Sequence, residues 1–338
     1  MSSVRFQGRS FELRDGKSVL DALLDAGEDI PHSCRRGTCG SCRLRAVEGD
    51  VPAEAQRSLK EPERRQGWFL ACCCRIEGAA GVLEVELAPE SRPQPARVHE
   101  REEIGDDIVR LRLILENEFG YTPGQFVNLV RHDGLARPYS LASIPDDGVL
   151  ELHVKVVPDG RMSGWVDRSL DVGDPVSLEG PFGSCFYVPG RPDQPLILAG
   201  VGTGLAPLLG IARDALRRGH TGPIDLFHGA RDASRLYATD LLRELEARHE
   251  SFRYHPCALR KAEPVSGAEA TGAESLVSVR PVGDVVLEKT SRRLAEARIF
   301  LCGAPDFVQD LRKRLFIAGA SLSEIHADPF TPQAQTGG

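Results

Sequence analysis

Three cysteines, Cys34, Cys39 and Cys42, stand with four and two residues between them, and Cys72 follows after a gap of 29. No other feature restricts the fold as tightly. Four thiols so spaced can close a cage only if three lie on one tight loop and a separate segment delivers the fourth. This is the plant-type [2Fe–2S] spacing, C-x4-C-x2-C…C. Gly37 and Gly40 let the loop backbone come close, with amides free to point at sulfur and help set the cluster potential. A structural zinc site usually pairs two Cys-x2-Cys steps, and only Cys39–Cys42 has that step. The fourth ligand is not unique, because Cys72, Cys73 and Cys74 are consecutive. Spacing favours Cys72. Neighbours in an extended segment point to opposite sides, which disfavours Cys73 and leaves Cys74 as the reserve.

The chain holds nine cysteines in all. No run of about 18 apolar residues is present to span a membrane, and residues 1–10 lack the apolar core of a signal peptide. These features imply a cytoplasmic protein, in which disulfides are rare and clustered thiols point to metal or catalysis. The formal net charge of -7 supplies no broad basic field for nucleic acid.

At 338 residues, 41% hydrophobic and 27% charged, the chain suits two or three ordinary cores. Residues 1–90 read as a first domain. Residues 4–13 alternate as strand material, and Ser18 opens a helix with Asp21 as capping-box partner. Val19, Leu20, Leu23 and Leu24 form the helix's apolar face, Gly27 stops it, and Leu83, Val85 and Leu87 alternate as a last strand. Residues 88–96 read APESRPQPA, a stiff proline linker. Residues 97–190 carry short alternating strands at 109–113, 125–130, 149–157 and 175–178, which predicts an antiparallel barrel or sandwich. Residues 191–330 alternate strands (196–199, 224–228, 298–301) with helices (to Arg218, from Tyr237 to Arg248, and 305–318). That order predicts a parallel sheet covered on both faces. Residues 263–274 read as a surface loop.

Two motifs in the second domain suit a flavin. In Arg137-Pro138-Tyr139-Ser140, the guanidinium can grip a pyrophosphate, the tyrosine ring can lie against an isoalloxazine, and the serine can reach flavin N5. Gly160 and Ser163 can offer donors at a helix start, an anion site. Alone, RPYS reads equally as a strand end with a surface tyrosine, so the pair carries the reading. Lys155 adds charge near the phosphates or is simply a solvated strand lysine.

In the third domain, Gly200-Val201-Gly202-Thr203-Gly204 follows a strand and precedes a helix with Pro207 in its first turn. The glycines suit a pyrophosphate at a helix N-terminus, although the third comes one place early for G-x-G-x-x-G. Cys302-Gly303 ends a later strand of the same sheet, at the edge where such sheets bind ligands. Cys302 suits a place beside the nicotinamide, or is a small buried cysteine.

These residues resemble the electron-transfer reductases of multicomponent bacterial oxygenases, within the ferredoxin–NADP reductase superfamily. The resemblance covers nearly the whole chain. It implies a multidomain α+β and α/β protein: a β-grasp ferredoxin, a six-stranded antiparallel FAD barrel and a doubly wound NAD(P) domain. It implies that Cys34, Cys39, Cys42 and Cys72 hold the cluster, and that Arg137, Tyr139, Ser140, Gly160 and Ser163 hold FAD. Gly202, Thr203, Gly204, Pro207, Cys302 and Gly303 match its nicotinamide motifs, and Phe330 matches the C-terminal aromatic that lies near the flavin. NADP-specific relatives carry a Ser-Arg pair after the third strand of this domain; residues 254–260 have no serine, which favours NADH. Arg231 and Arg235, which could bind a 2′-phosphate, leave NADPH open, while Asp232 suits ribose hydroxyls.

The implied activity is electron transfer from NADH through FAD to the [2Fe–2S] cluster and on to a terminal oxygenase or an intermediate ferredoxin, by a monomer. The rival readings are a reductase for another metalloenzyme such as a deoxysugar dehydrase, a redox sensor that holds the same cofactors without fast turnover, and a zinc-binding interaction protein.

Overall fold

The computed structural model describes residues 2–13, 16–30, 32, 35, 37, 42–76, 81–87, 93–261 and 277–330. Cys34, Cys39, Gly40 and the loop expected at 263–274 lie outside these residues. The chain divides into two units, Met1–Glu90 and Ser91–Gly338.

The first unit is a mixed sheet of β1 (Ser2–Phe6), β2 (Arg9–Leu13), β3 (Arg43–Glu48), β4 (Trp68–Leu70) and β5 (Val82–Glu86), in the order β2-β1-β5-β3-β4. Helix α1 (Val19–Asp25) buries Val19, Leu20, Ala22 and Leu23. Its capping box forms as expected: the Asp21 amide donates to Ser18 Oγ, and the Asp21 carboxylate accepts from the Ser18 amide. A short helix, α2 (Glu61–Arg65), precedes β4.

The second unit holds two sheets. The first comprises β6 (Gln94–Gly105), β7 (Ile108–Leu115), β8 (Phe126–Val130), β9 (Ala136–Ser140), β10 (Leu150–Lys155) and β11 (Pro175–Phe182). The order β10-β7-β6-β11-β8-β9 is antiparallel throughout, and a bridge between Leu141 and Leu152 brings its two edges together as a barrel. Strand β6 begins at Gln94, inside the stretch expected to be linker. Helix α3 (Arg161–Arg168) follows β10, with Gly160 at its N-cap.

The second sheet is parallel: β12 (Leu196–Val201), β13 (Ile224–Asp232), β14 (Phe252–Arg260), β15 (Ser278–Val279), β16 (Arg298–Gly303) and β17 (Ile325–Pro329), ordered β15-β14-β13-β12-β16-β17. The core on one face gathers residues of α4 (Leu205–Arg217) and α5 (Thr239–Arg248), and the core on the other gathers residues of α6 (Val282–Thr290) and α7 (Pro305–Ile317). The chain runs outward from β12 to β15 and returns to β16, so the switch point lies between β12 and β16. Helix α5 starts at Thr239, two residues later than expected, because Ala238 takes a left-handed conformation and Tyr237 turns inward. Among the described residues no helix is long and apolar enough to cross a membrane.

Candidate functional site

A cleft of about 1920 Å³ opens at the C-terminal edge of the parallel sheet and runs along the barrel. Single-ligand pockets hold about 300–1,000 Å³, so this one has room for two dinucleotides. Both motif sets read from the sequence meet in it. Arg137, Tyr139, Ser140, Lys155, Gly160 and Ser163 line it from the barrel side. Gly202, Thr203, Arg231 and Phe330 line it from the sheet side.

Strand β9 places the RPYS residues. Arg137 Nη1 donates to the Ala136 carbonyl at 2.7 Å. Burial pushes the Tyr139 hydroxyl up to about 12, so it stays protonated at neutral pH. Ser140 Oγ donates to Asp328 Oδ2 at 3.2 Å. Burial raises the Asp328 carboxyl above the ordinary aspartate value, and the Ser140 hydrogen bond only partly offsets that. Asp328 also lines the cleft, and sequence reasoning had singled out only its neighbour Phe330. The Phe330 amide donates to the Gly303 carbonyl at 2.8 Å, which ties the C-terminal strand to the Cys-Gly turn. At the start of α3, the Val157 amide donates to Ser163 Oγ at 3.2 Å. Lys155 is ion-paired rather than free: its Nζ lies 3.6 Å from Asp107, which Arg235 also engages at 3.0 Å.

The glycine loop divides its work. Gly202 has φ +55 and open space where a side chain would stand, so the backbone is bare toward the cleft. Gly204 does not line the cleft. An added Cβ there would meet the Cys302 carbonyl oxygen at 2.3 Å, so this glycine lets the loop pack on the end of β16. Pro207 is buried in the first turn of α4, where its missing amide hydrogen costs nothing. Cys302, expected beside the nicotinamide, is fully buried and does not line the cleft; its sulfur lies 4.0 Å from Cys185 Sγ. Burial pushes its thiol well up, so it is no thiolate nucleophile. Arg231 reaches the cleft with no ion pair among the described residues, as does Arg260 at the end of β14.

In the first unit, residues 71–73 form a 3-10 turn rather than an extended strand, so the alternation expected of the three consecutive cysteines does not hold. The Cys72 thiol is in hydrogen-bond contact with that of Cys42, and the Gly37 backbone amide is directed at it. Cys73 Sγ lies 3.7 Å from Cys72 Sγ, on the side of Gly37. Cys74 is fully buried in the core, and its thiol is pushed up to about 12 by burial. Cys73, disfavoured on sequence, thus stands beside the Cys72 thiol, and Cys74, the reserve, is buried in the core with Cys42 and Cys72.

Three family models match in succession: a 2Fe-2S iron-sulfur cluster binding domain over residues 4–77, an oxidoreductase FAD-binding domain over 95–187 and an oxidoreductase NAD-binding domain over 198–313. The chain is 34% identical over 322 residues to the ferredoxin–NAD(P)(+) reductase component of the naphthalene 1,2-dioxygenase system of Pseudomonas putida, covering 94% of each. The chain belongs to the reductase components of bacterial oxygenase systems. It is also 35% identical, over 98% of each chain, to an aromatic O-demethylase reductase subunit of Amycolatopsis. Among solved structures, an Amycolatopsis cytochrome P450 reductase superposes with a TM-score of 0.66 at 33% identity, covering 98% of this chain and 99% of that one.

This reductase is therefore an oxidoreductase whose cofactors are FAD, a [2Fe–2S] cluster and NAD(P)H. The residues present fit them. The cleft offers cationic, aromatic and hydroxyl groups on one wall and a bare glycine backbone on the other. In the first unit the Cys42 and Cys72 thiols are in contact, with the Gly37 amide directed at Cys72, a pairing that suits two thiolates of one cluster.

Proposed function

We propose that this chain passes electrons from NADH, through FAD in the cleft, to its own [2Fe–2S] cluster and on to an oxygenase component. FAD supplies the conversion of a two-electron hydride into single electrons that a cluster can take. The observation that carries the reading is the meeting of the RPYS motif and the glycine loop in one cleft at the sheet's switch point.

In this reading Arg137 and the α3 start, with Gly160 and Ser163, hold the flavin phosphates. Tyr139 lies against the flavin ring, and Ser140, backed by Asp328, addresses the hydride-accepting nitrogen. Gly202 and Thr203 take the nicotinamide pyrophosphate, and Phe330 covers the flavin until nicotinamide enters. Cys34, Cys39, Cys42 and Cys72 hold the cluster. Asp232 at the end of β13 takes the ribose hydroxyls of NADH, and Arg231 beside it decides how far NADPH is accepted. No proton-transfer triad is required, because the work lies in proximity and orientation.

The test is the anaerobic visible spectrum of the purified protein before and after NADH, followed by reduction of cytochrome c as an artificial acceptor. Flavin and iron–sulfur absorption that both bleach, with rapid cytochrome c reduction, is the expected outcome. Flavin bleaching without cytochrome c reduction would make the chain a sensor rather than a conduit.

A further inference from the structure

A buried polar chain, outside the roles assigned above, links the barrel to the parallel sheet. On the barrel, Arg112 Nε donates to Glu151 Oε2 at 2.8 Å. Glu151 and His153 stand two apart on β10 and so share a face of the strand. His153 Nε2 lies 3.0 Å from Glu151 Oε1, and its Nδ1 lies 3.0 Å from the hydroxyl of Tyr237, which belongs to the parallel-sheet domain. The Tyr237 ring stands edge-on to His153 and to His228, with centroids 5.3 Å from each. His228 sits on β13 in register with Gly200 at the start of the glycine loop on β12, and the Tyr254 hydroxyl lies 3.5 Å from its Nδ1. Glu151, His153, Tyr237 and His228 are all buried.

Such a chain is geometrically demanding. Burial raises the Glu151 carboxyl, but hydrogen bonds and charge from His153 and Arg112 outweigh it and bring it down to about 2. A buried carboxylate of this kind tolerates little displacement of its partners. His153 Nε2 thus meets the Glu151 carboxylate while its Nδ1 meets the Tyr237 hydroxyl. Other links cross the same divide: Ser140 to Asp328 at the cleft wall, Tyr187 to His220 and Arg298 to the Val188 carbonyl away from it, and the surface ion pairs Arg213–Asp147, Arg217–Asp146 and Arg235–Asp107, which are weak and compliant by comparison. His153 also lines the cleft, with Ser140 on one wall and Gly202 on the other. Hydride transfer needs its two carbon and nitrogen centres within about 3–3.5 Å, so a small slip between the two domains is costly.

We propose that Tyr237 is a positioning residue for hydride transfer, holding barrel strand β10 and the glycine loop in one register through His153 on one side and His228 on the other. The inference rests on the cleft being the meeting place of flavin and nicotinamide. Tyr237 leaves the helical path expected for it because its ring fills this junction.

The experiment is stopped-flow reduction of the FAD by NADH in the purified holoprotein. Wild-type protein that fails to bleach would overturn the electron-transfer function itself, irrespective of the variants. Given a functional wild type, Tyr237→Phe keeps the ring and removes the hydroxyl. Its limiting rate is expected to fall about tenfold or more, while the half-saturating NADH concentration and the FAD content stay close to wild type. A limiting rate close to wild type overturns the proposal even if Tm falls, because a merely structural tyrosine costs stability and not rate. His153→Asn, whose amide can accept the Tyr237 hydroxyl near the place of Nδ1, should keep more of the rate than His153→Leu. Equal rates in that pair overturn the proposal too, and the pair decides if Tyr237→Phe does not load FAD.

Discussion

Ser140 Oγ and Asp328 Oδ2 lie 3.2 Å apart although 188 residues separate them in sequence. One comes from the end of barrel strand β9 and the other from edge strand β17 of the parallel sheet, so the two sheets complete this wall of the cleft together. Asp328 should therefore act on the reaction through Ser140. Ser140→Ala should slow NADH-driven flavin reduction roughly 10–100-fold, the worth of one hydrogen bond to a developing charge. An unchanged rate, measured by stopped flow at saturating NADH, would remove Ser140 from the hydride step.

The same contact predicts a pH dependence of stability. The folded-state carboxyl of Asp328 is raised above its unfolded value, so the folded chain holds this proton more tightly. Its contribution to stability is complete below about pH 3.9, the unfolded aspartate value, and is lost as pH rises through the folded value. Asp328→Asn should therefore melt higher than wild type at neutral pH, and the gap should close as pH falls toward about 4. Thermal melts across that range would show it; a gap that widens on acidification would contradict the assignment.

The cluster ligands can be separated by iron content. Cys72→Ser should lose the iron–sulfur absorption and most bound iron while retaining FAD. Cys74→Ala should retain both and lose about 1 kcal/mol of stability from its core position. The opposite pattern would make Cys74 the fourth ligand.

Two glycines of one loop should fail differently. Gly204→Ala forces a Cβ against the Cys302 carbonyl and should destabilise the nucleotide-binding domain by about 1–3 kcal/mol. Gly202→Ala meets open space but a left-handed backbone, costing about 1 kcal/mol, and should mainly weaken NADH binding. Melting temperature and NADH titration of both variants distinguish packing from ligand contact.

Nucleotide choice should turn on Arg231, the cleft arginine beside Asp232 at the end of β13. NADH is expected to be the better donor in the wild type. Arg231→Ala should reduce whatever NADPH turnover the wild type shows by about tenfold, the loss of one charged phosphate contact, and leave NADH turnover nearly intact. Equal losses with both donors would place Arg231 on the shared part of the nucleotide.

The sequence by itself determined what depends on neighbours along the chain. The cysteine spacing, the Ser18–Asp21 capping box, the strand–glycine–helix of residues 196–217 and the alternating barrel strands all express short-range backbone requirements, so they are written in consecutive residues. Tertiary structure decided what depends on distant segments meeting. Cys72 rather than Cys74 faces Cys42 because a 3-10 turn replaces the strand that alternation assumed. Gly204 packs on protein rather than facing the cleft, and Cys302 faces Cys185, because β16 returns beside β12. Tyr237 leaves its helix for a hydrogen bond to His153, 84 positions away, and Asp328 reaches Ser140 only because β17 closes the sheet. No local pattern encodes these contacts, since each joins stretches of chain that are distant in sequence and meet only when the sheets and domains are assembled.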